Sequence, residues 1–135
     1  MITALDTNVL LDILTGNPEY VELSTSVLLS QASRGALIIS NIVFAELAAA
    51  FHGDMGKLEL FLSDAGIMRV SEIQETLALA GRNWRIYRQG GGTRQRILPD
   101  FLIGAHAQHQ ADCLLTRDRG FYRNYFTGLT IIEPS

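Results

Sequence analysis

Short apolar runs alternate with longer amphipathic ones along the whole chain, and that alternation already predicts an architecture. Ile2–Leu5, Ala36–Ile39, Ile67–Val70, Cys113–Thr116 and Thr130–Ile132 are too short and too continuously apolar for surface helices, and read as buried strands. Helical patterns lie between them. Asp6-Thr7-Asn8 opens a helix to about Thr15, with Val9, Leu10 and Ile13 at helical spacing, and a second runs from Val21 to Arg34. Ser40-Asn41 caps a third through Phe51, and Asp54 caps a fourth with Leu58, Phe61, Leu62 and Ala65 on one face. Ser71 followed by Gln74 predicts a capping box for a fifth that continues to about Gln89. Pro99 suits the first position of a sixth helix ending near Gln110, and Gly120 to Tyr125 forms a short seventh.

Strands that alternate with helices imply right-handed crossovers and a parallel sheet covered on both faces, hence the α/β class. In such sheets ligands bind beyond the carboxyl ends of the strands. A length of 135 residues fits one domain spanning residues 1–135, and neither a repeat nor a linker interrupts it. Gln89-Gly90-Gly91-Gly92-Thr93 reads as a helix-to-helix connection. It lacks the Gly-Lys-Ser/Thr ending of a phosphate-binding loop.

Composition narrows the class. Apolar residues make up 47% and charged residues 19%, as in an ordinary globular protein. The single cysteine, Cys113, excludes an internal disulfide framework and a multi-cysteine zinc site, and reads as a small buried hydrophobe. No signal peptide and no membrane span are read from the sequence, which makes the cytoplasm the expected location. The net charge of −3 hides an asymmetry: residues 1–80 carry ten acids against three bases, and residues 81–135 four acids against eight bases. Ten of the eleven basic residues are arginines. Arg82, Arg85, Arg88, Arg94 and Arg96 crowd one segment, and Arg117, Arg119 and Arg123 another. Guanidinium groups pair bidentately with phosphate, but arginines at helical spacing also describe a solvated face, and both readings stand for this cluster.

Four acids sit in or against apolar stretches: Asp6, Glu46, Asp100 and Asp118. Unpaired carboxylates are costly to remove from water, so buried ones have partners or bind cations. Asp6, Asp100 and Asp118 each stand near a helix start, where capping and the helix dipole alone favour an aspartate. Glu46 lies inside an apolar helix and has no such local reason; it should either face solvent alone or face a cation. A convergent set of four would repel strongly without a cation, and all-oxygen ligands select Mg²⁺ or Mn²⁺. His106 and His109 lack a third zinc ligand and read as surface or packing residues, His52 as a helix-end residue, and Asp112 as a turn residue.

Leu5-Asp6-Thr7-Asn8, Glu46 in its apolar helix, Pro99-Asp100-Phe101-Leu102-Ile103-Gly104-Ala105-His106-Ala107 and Leu114-Leu115-Thr116-Arg117-Asp118-Arg119-Gly120-Phe121-Tyr122 together resemble the PIN domain family, most closely the VapC-type toxins of bacterial toxin–antitoxin pairs. The resemblance covers essentially the whole chain. It implies a three-layer α/β/α sandwich with a five-stranded parallel sheet. It also implies a Mg²⁺- or Mn²⁺-dependent endoribonuclease that cleaves RNA by metal-activated water, is dimeric, and is held in check by a cognate antitoxin. Asp6, Glu46, Asp100 and Asp118 match the acidic ligand positions, with Thr116 and Asn8 in supporting places. Arg82, Arg85, Arg88, Arg94, Arg96, Arg117 and Arg119 are the candidates for holding the RNA backbone. The alternatives are a PIN nuclease of RNA processing or DNA cleavage, or a catalytically silent binding module. A phosphoacceptor receiver domain is disfavoured: Asp6 is followed by Thr7-Asn8 rather than by another acid, and the only lysine is Lys57. A haloacid-type phosphatase needs an aspartate where Asn8 stands.

Overall fold

A computed structural model describes residues 1–91 and 97–135. Its five strands are β1 (Ile2–Leu5), β2 (Ala36–Ile39), β3 (Ile67–Arg69), β4 (Cys113–Leu115) and β5 (Ile131–Ile132). The helices are α1 (Thr7–Thr15), α2 (Val21–Arg34), α3 (Asn41–Ala50), α4 (Met55–Ala65), α5 (Gln74–Gln89), α6 (Leu98–Gln110) and α7 (Arg119–Tyr125). All strand pairs are parallel, in the order β3-β2-β1-β4-β5, so the fold is the expected three-layer α/β/α sandwich. Each strand lies within a residue or so of its predicted bounds.

Local chemistry explains most boundaries. The Ser40 and Asp54 side chains accept from the Val43 and Lys57 amides, capping α3 and α4 as their residue types predict. Gly16 and Gly66 end α1 and α4 at φ of 65° and 69°, a region that favours glycine. The predicted capping box of α5 does not form. Ile73 holds the cap position without a side-chain bond, and its amide donates instead to Gln110 Oε1 of α6 at 3.0 Å. Ser71 bonds Asn41. A tertiary partner replaces the local one there. Pro99 falls at the second rather than the first position of α6, still within the turn whose amides need no helical acceptor.

The core lies between the sheet and its helices, around Leu5, Val9, Leu10, Ile39, Leu47, Leu114 and Leu115. A second concentration of apolar mass is aromatic. Phe101 of α6 meets Phe121 and Tyr125 of α7 edge-on at ring separations of 5.1 and 5.7 Å, and Tyr87 of α5 at 5.5 Å. Such contacts anchor the seven-residue α7, which is too short to be stable alone. Gly104 lets α6 approach closely, since a Cβ there would overlap the Phe126 ring. Cys113 is buried, with its sulfur 3.4 Å from the Thr3 hydroxyl. His106 is also buried; its Nε2 bonds the Val70 carbonyl at 2.8 Å, and burial lowers its pKa, so it packs as a neutral ring. Asp112 accepts from the Ile2 amide at 2.6 Å and ties the turn before β4 to the start of β1. Among the described residues, no helix is long and apolar enough to cross a membrane.

Candidate functional site

The strand order reverses direction at β1. From there the chain steps outward to β2 and β3, then returns to place β4 on the other side of β1. The crevice between the carboxyl ends of β1 and β4 is therefore the place where such a sheet accepts ligands. Register puts Leu5 beside Leu115, so Asp6 and Thr116 emerge side by side, and the Asp6 amide extends the ladder to the Leu115 carbonyl at 2.9 Å.

Asp6 is the centre of the arrangement. Its Oδ1 accepts from the Thr7 amide at 2.7 Å. Its Oδ2 accepts from the Thr116 hydroxyl at 2.7 Å, the Tyr122 hydroxyl at 3.1 Å and the Asn8 amide at 3.5 Å. All four donors are neutral. Burial pushes the Asp6 carboxyl up to about 6 despite those bonds, and the charge of Glu46 pushes it the same way. Thr116 also accepts from the Asp118 amide at 3.0 Å, and Asn8 Oδ1 from the Arg117 amide at 3.3 Å. The predicted supporting residues thus bridge the two loops.

The other acids surround this centre differently. Glu46 reaches it from α3 and accepts from the Thr7 hydroxyl at 2.6 Å. It is exposed; Val43 and Leu47 carry the buried face of α3 and leave Glu46 on the open one. Asp100 and Asp118 are half-buried. Of the four acids, only Asp6 meets the expectation of a carboxylate taken out of water. Asp100 accepts from the Ile97 amide at 3.2 Å and so does serve the start of α6. Asp118 holds the cap position of α7 but makes no capping bond. Both come near Asp6 at one group, the buried Tyr122 hydroxyl. Its pKa is pushed well above the usual tyrosine value by burial, then by the charges of Asp6, Asp100 and Asp118. Among the described residues, no three histidine, cysteine or acidic side chains are gathered tightly enough to hold a metal ion as they stand.

The arginines divide. Arg82, Arg85 and Arg88 are exposed on α5, with Arg88 lying 5.4 Å from the centre of the Trp84 ring. Arg94 and Arg96 lie outside the described residues. Arg117, expected to face RNA, is instead spent on Asp12: its Nε and Nη2 reach the two carboxylate oxygens at 2.8 and 3.0 Å. Arg119 pairs with Glu133 at 3.0 Å on the surface. Sequence reasoning missed Tyr122 and Asp12. The Phe121-Tyr122 pair after Gly120 signals an anchored helix, but nothing local says that the tyrosine hydroxyl returns to Asp6. Asp12 is the single charge in the apolar run 9–14 of α1, and that was its one available signal.

A family model described as the PIN domain matches residues 3–127. No curated protein matches the sequence. Among solved structures, the chain is similar to VapBC2 from Rickettsia felis bound to a DNA fragment from its promoter, with 24% identity, full coverage of both chains and a TM-score of 0.77. It is also similar to VapBC-1 from nontypeable Haemophilus influenzae, with 19% identity, 98% of each chain covered and a TM-score of 0.74. A toxin–antitoxin complex from Klebsiella pneumoniae is similar at 23% identity, with 98% of each chain covered and a TM-score of 0.65. With nearly the whole length matched by the family model and the acids ranged around the β1–β4 crevice, the chain belongs to the PIN domain family.

Proposed function

We propose that this PIN domain is a Mg²⁺- or Mn²⁺-dependent endoribonuclease that acts as the toxin of a toxin–antitoxin pair. The observation that carries the reading is the placement of Asp6, Glu46, Asp100 and Asp118 about one crevice, with Asp6 raised to about 6 by burial and by Glu46. The neutral donors offset only part of that cost, and a cation would relieve the rest. The donors are all hard oxygens, which suit Mg²⁺ or Mn²⁺. Mg²⁺ keeps several waters and binds through one or two carboxylates plus substrate phosphate, so a closed cage of three protein ligands is not required. Asp6, Glu46, Asp100 and Asp118 are the residues that would hold the ion. When bound, it supplies acidification of a water and charge neutralisation at the scissile phosphate.

The chain's own groups prepare the site. Thr116 and the Thr7 amide fix the orientation of Asp6. Tyr122 stays protonated at neutral pH and donates to the same carboxylate. Arg82, Arg85 and Arg88 offer an exposed cationic row for the phosphate backbone, and binding through it should weaken with salt. The toxin role and the antitoxin partner draw support from the resemblance of the motifs and from neighbours that are VapBC and toxin–antitoxin assemblies, and the homodimer from the resemblance alone. Inducible expression of the wild type and of Asp100→Asn, scored for growth arrest and for sequenced RNA ends, tests it. Arrest and new 5′-phosphate ends with the wild type alone are expected. Equal arrest by both forms, or cleavage unchanged by excess EDTA, would overturn the reading.

A further inference from the structure

Asp12 lies in α1 at 2% exposure, and a carboxylate so deep is costly without partners. It has several. The Ser24 hydroxyl of α2 donates at 2.8 Å, Asn17 at 3.3 Å, and Arg117 engages both oxygens through its fork. The same guanidinium lies over the Tyr20 ring, 4.1 Å from its centre. A planar cation held along one edge by a bidentate bond and on one face by an aromatic ring has little freedom left.

Arg117 immediately precedes Asp118. The backbone on either side of it is pinned as well, the Arg117 amide by Asn8 and the Asp118 amide by Thr116. We propose that Arg117 is a positioning residue: the Asp12–Arg117–Tyr20 strut fixes the turn at 116–118 against α1 and α2, and thereby sets where Asp118 stands relative to Asp6. The inference rests on reading Asp118 as part of the cation site. It assigns Arg117 a structural partner in place of a phosphate.

The test compares the full-length wild type with Tyr20→Leu, Arg117→Lys and the paired Asp12→Asn/Arg117→Gln. The first leaves both charges paired and so keeps the fold; the last removes both charges together. Three quantities are read: hydrogen exchange at the Arg117 and Asp118 amides, Mn²⁺ affinity by calorimetry, and the salt dependence of binding to a short single-stranded RNA without metal. The strut predicts exchange at Asp118 faster by about tenfold or more, Mn²⁺ binding weaker by roughly tenfold, and an unchanged salt slope. Unchanged exchange and Mn²⁺ affinity would overturn it. So would a salt slope reduced by about 0.7, the signature of one lost phosphate contact on a single strand. A wild type that binds no Mn²⁺ would defeat the nuclease reading by itself, and the exchange rates would still decide the strut.

Discussion

The arginines of α5 and those after β4 look alike in sequence and behave differently in the fold. Arg82, Arg85 and Arg88 face solvent on one helix. Arg117 is locked between a buried aspartate and a tyrosine ring, and Arg119 is paired with Glu133. The difference is one of counter-charge. A guanidinium beside a desolvated carboxylate is part of the folded structure, whereas one in water is available to a polyanion.

That contrast breaks most visibly at Arg117. Arg117→Met strips Asp12 of its counter-charge and should cost about 3–5 kcal/mol in urea unfolding, whereas Arg85→Met should stay within about 0.5 kcal/mol. Equal effects would erase the distinction. Asp6→Asn should act in the opposite direction on stability while abolishing cleavage. Because the folded pKa of Asp6 lies above its ordinary value of 3.8, its contribution is full below that value and is lost as pH rises through about 6. Without metal at pH 7.5 the Asn variant should be more stable by roughly 3 kcal/mol, and at pH 3.5 the two should coincide. His106, whose lowered pKa costs stability as pH falls through its ordinary value, cancels in that difference. Adding Mg²⁺ at pH 7.5 should close the gap by stabilising only the wild type, read as a melting shift.

Smaller effects sharpen the other side. Replacing Arg82, Arg85 and Arg88 together by Gln should leave stability unchanged and flatten the salt dependence of RNA binding by about 0.7 per lost contact. An unchanged slope would return these arginines to a merely solvated face. Glu133→Gln, which breaks an exposed pair, should shift unfolding by less than about 1 kcal/mol.

Much of the fold was legible because its signals are local. Apolar runs marked the strands within a residue or so, and Ser40, Asp54 and Pro99 marked helix starts through chemistry that acts within one turn. Local reasoning failed where a distant partner took over. Ser71 and Gln74 had the pattern of a capping box, yet Gln110 serves the Ile73 amide. Asp12 and Arg117 are separated by 105 positions, and no spacing rule connects them.

By itself the sequence determined the element order and the α/β class and singled out four acids as candidates, since hydrophobic periodicity and the placing of charge against apolar runs are read between near neighbours. Only the tertiary structure decided that β4 lies beside β1, which brings Thr116 and Tyr122 onto Asp6. It alone decided which acid leaves water and which arginines are spent. Burial and counter-charge are properties of what packs around a group, and for Asp6 and Arg117 those neighbours come from the far end of the chain.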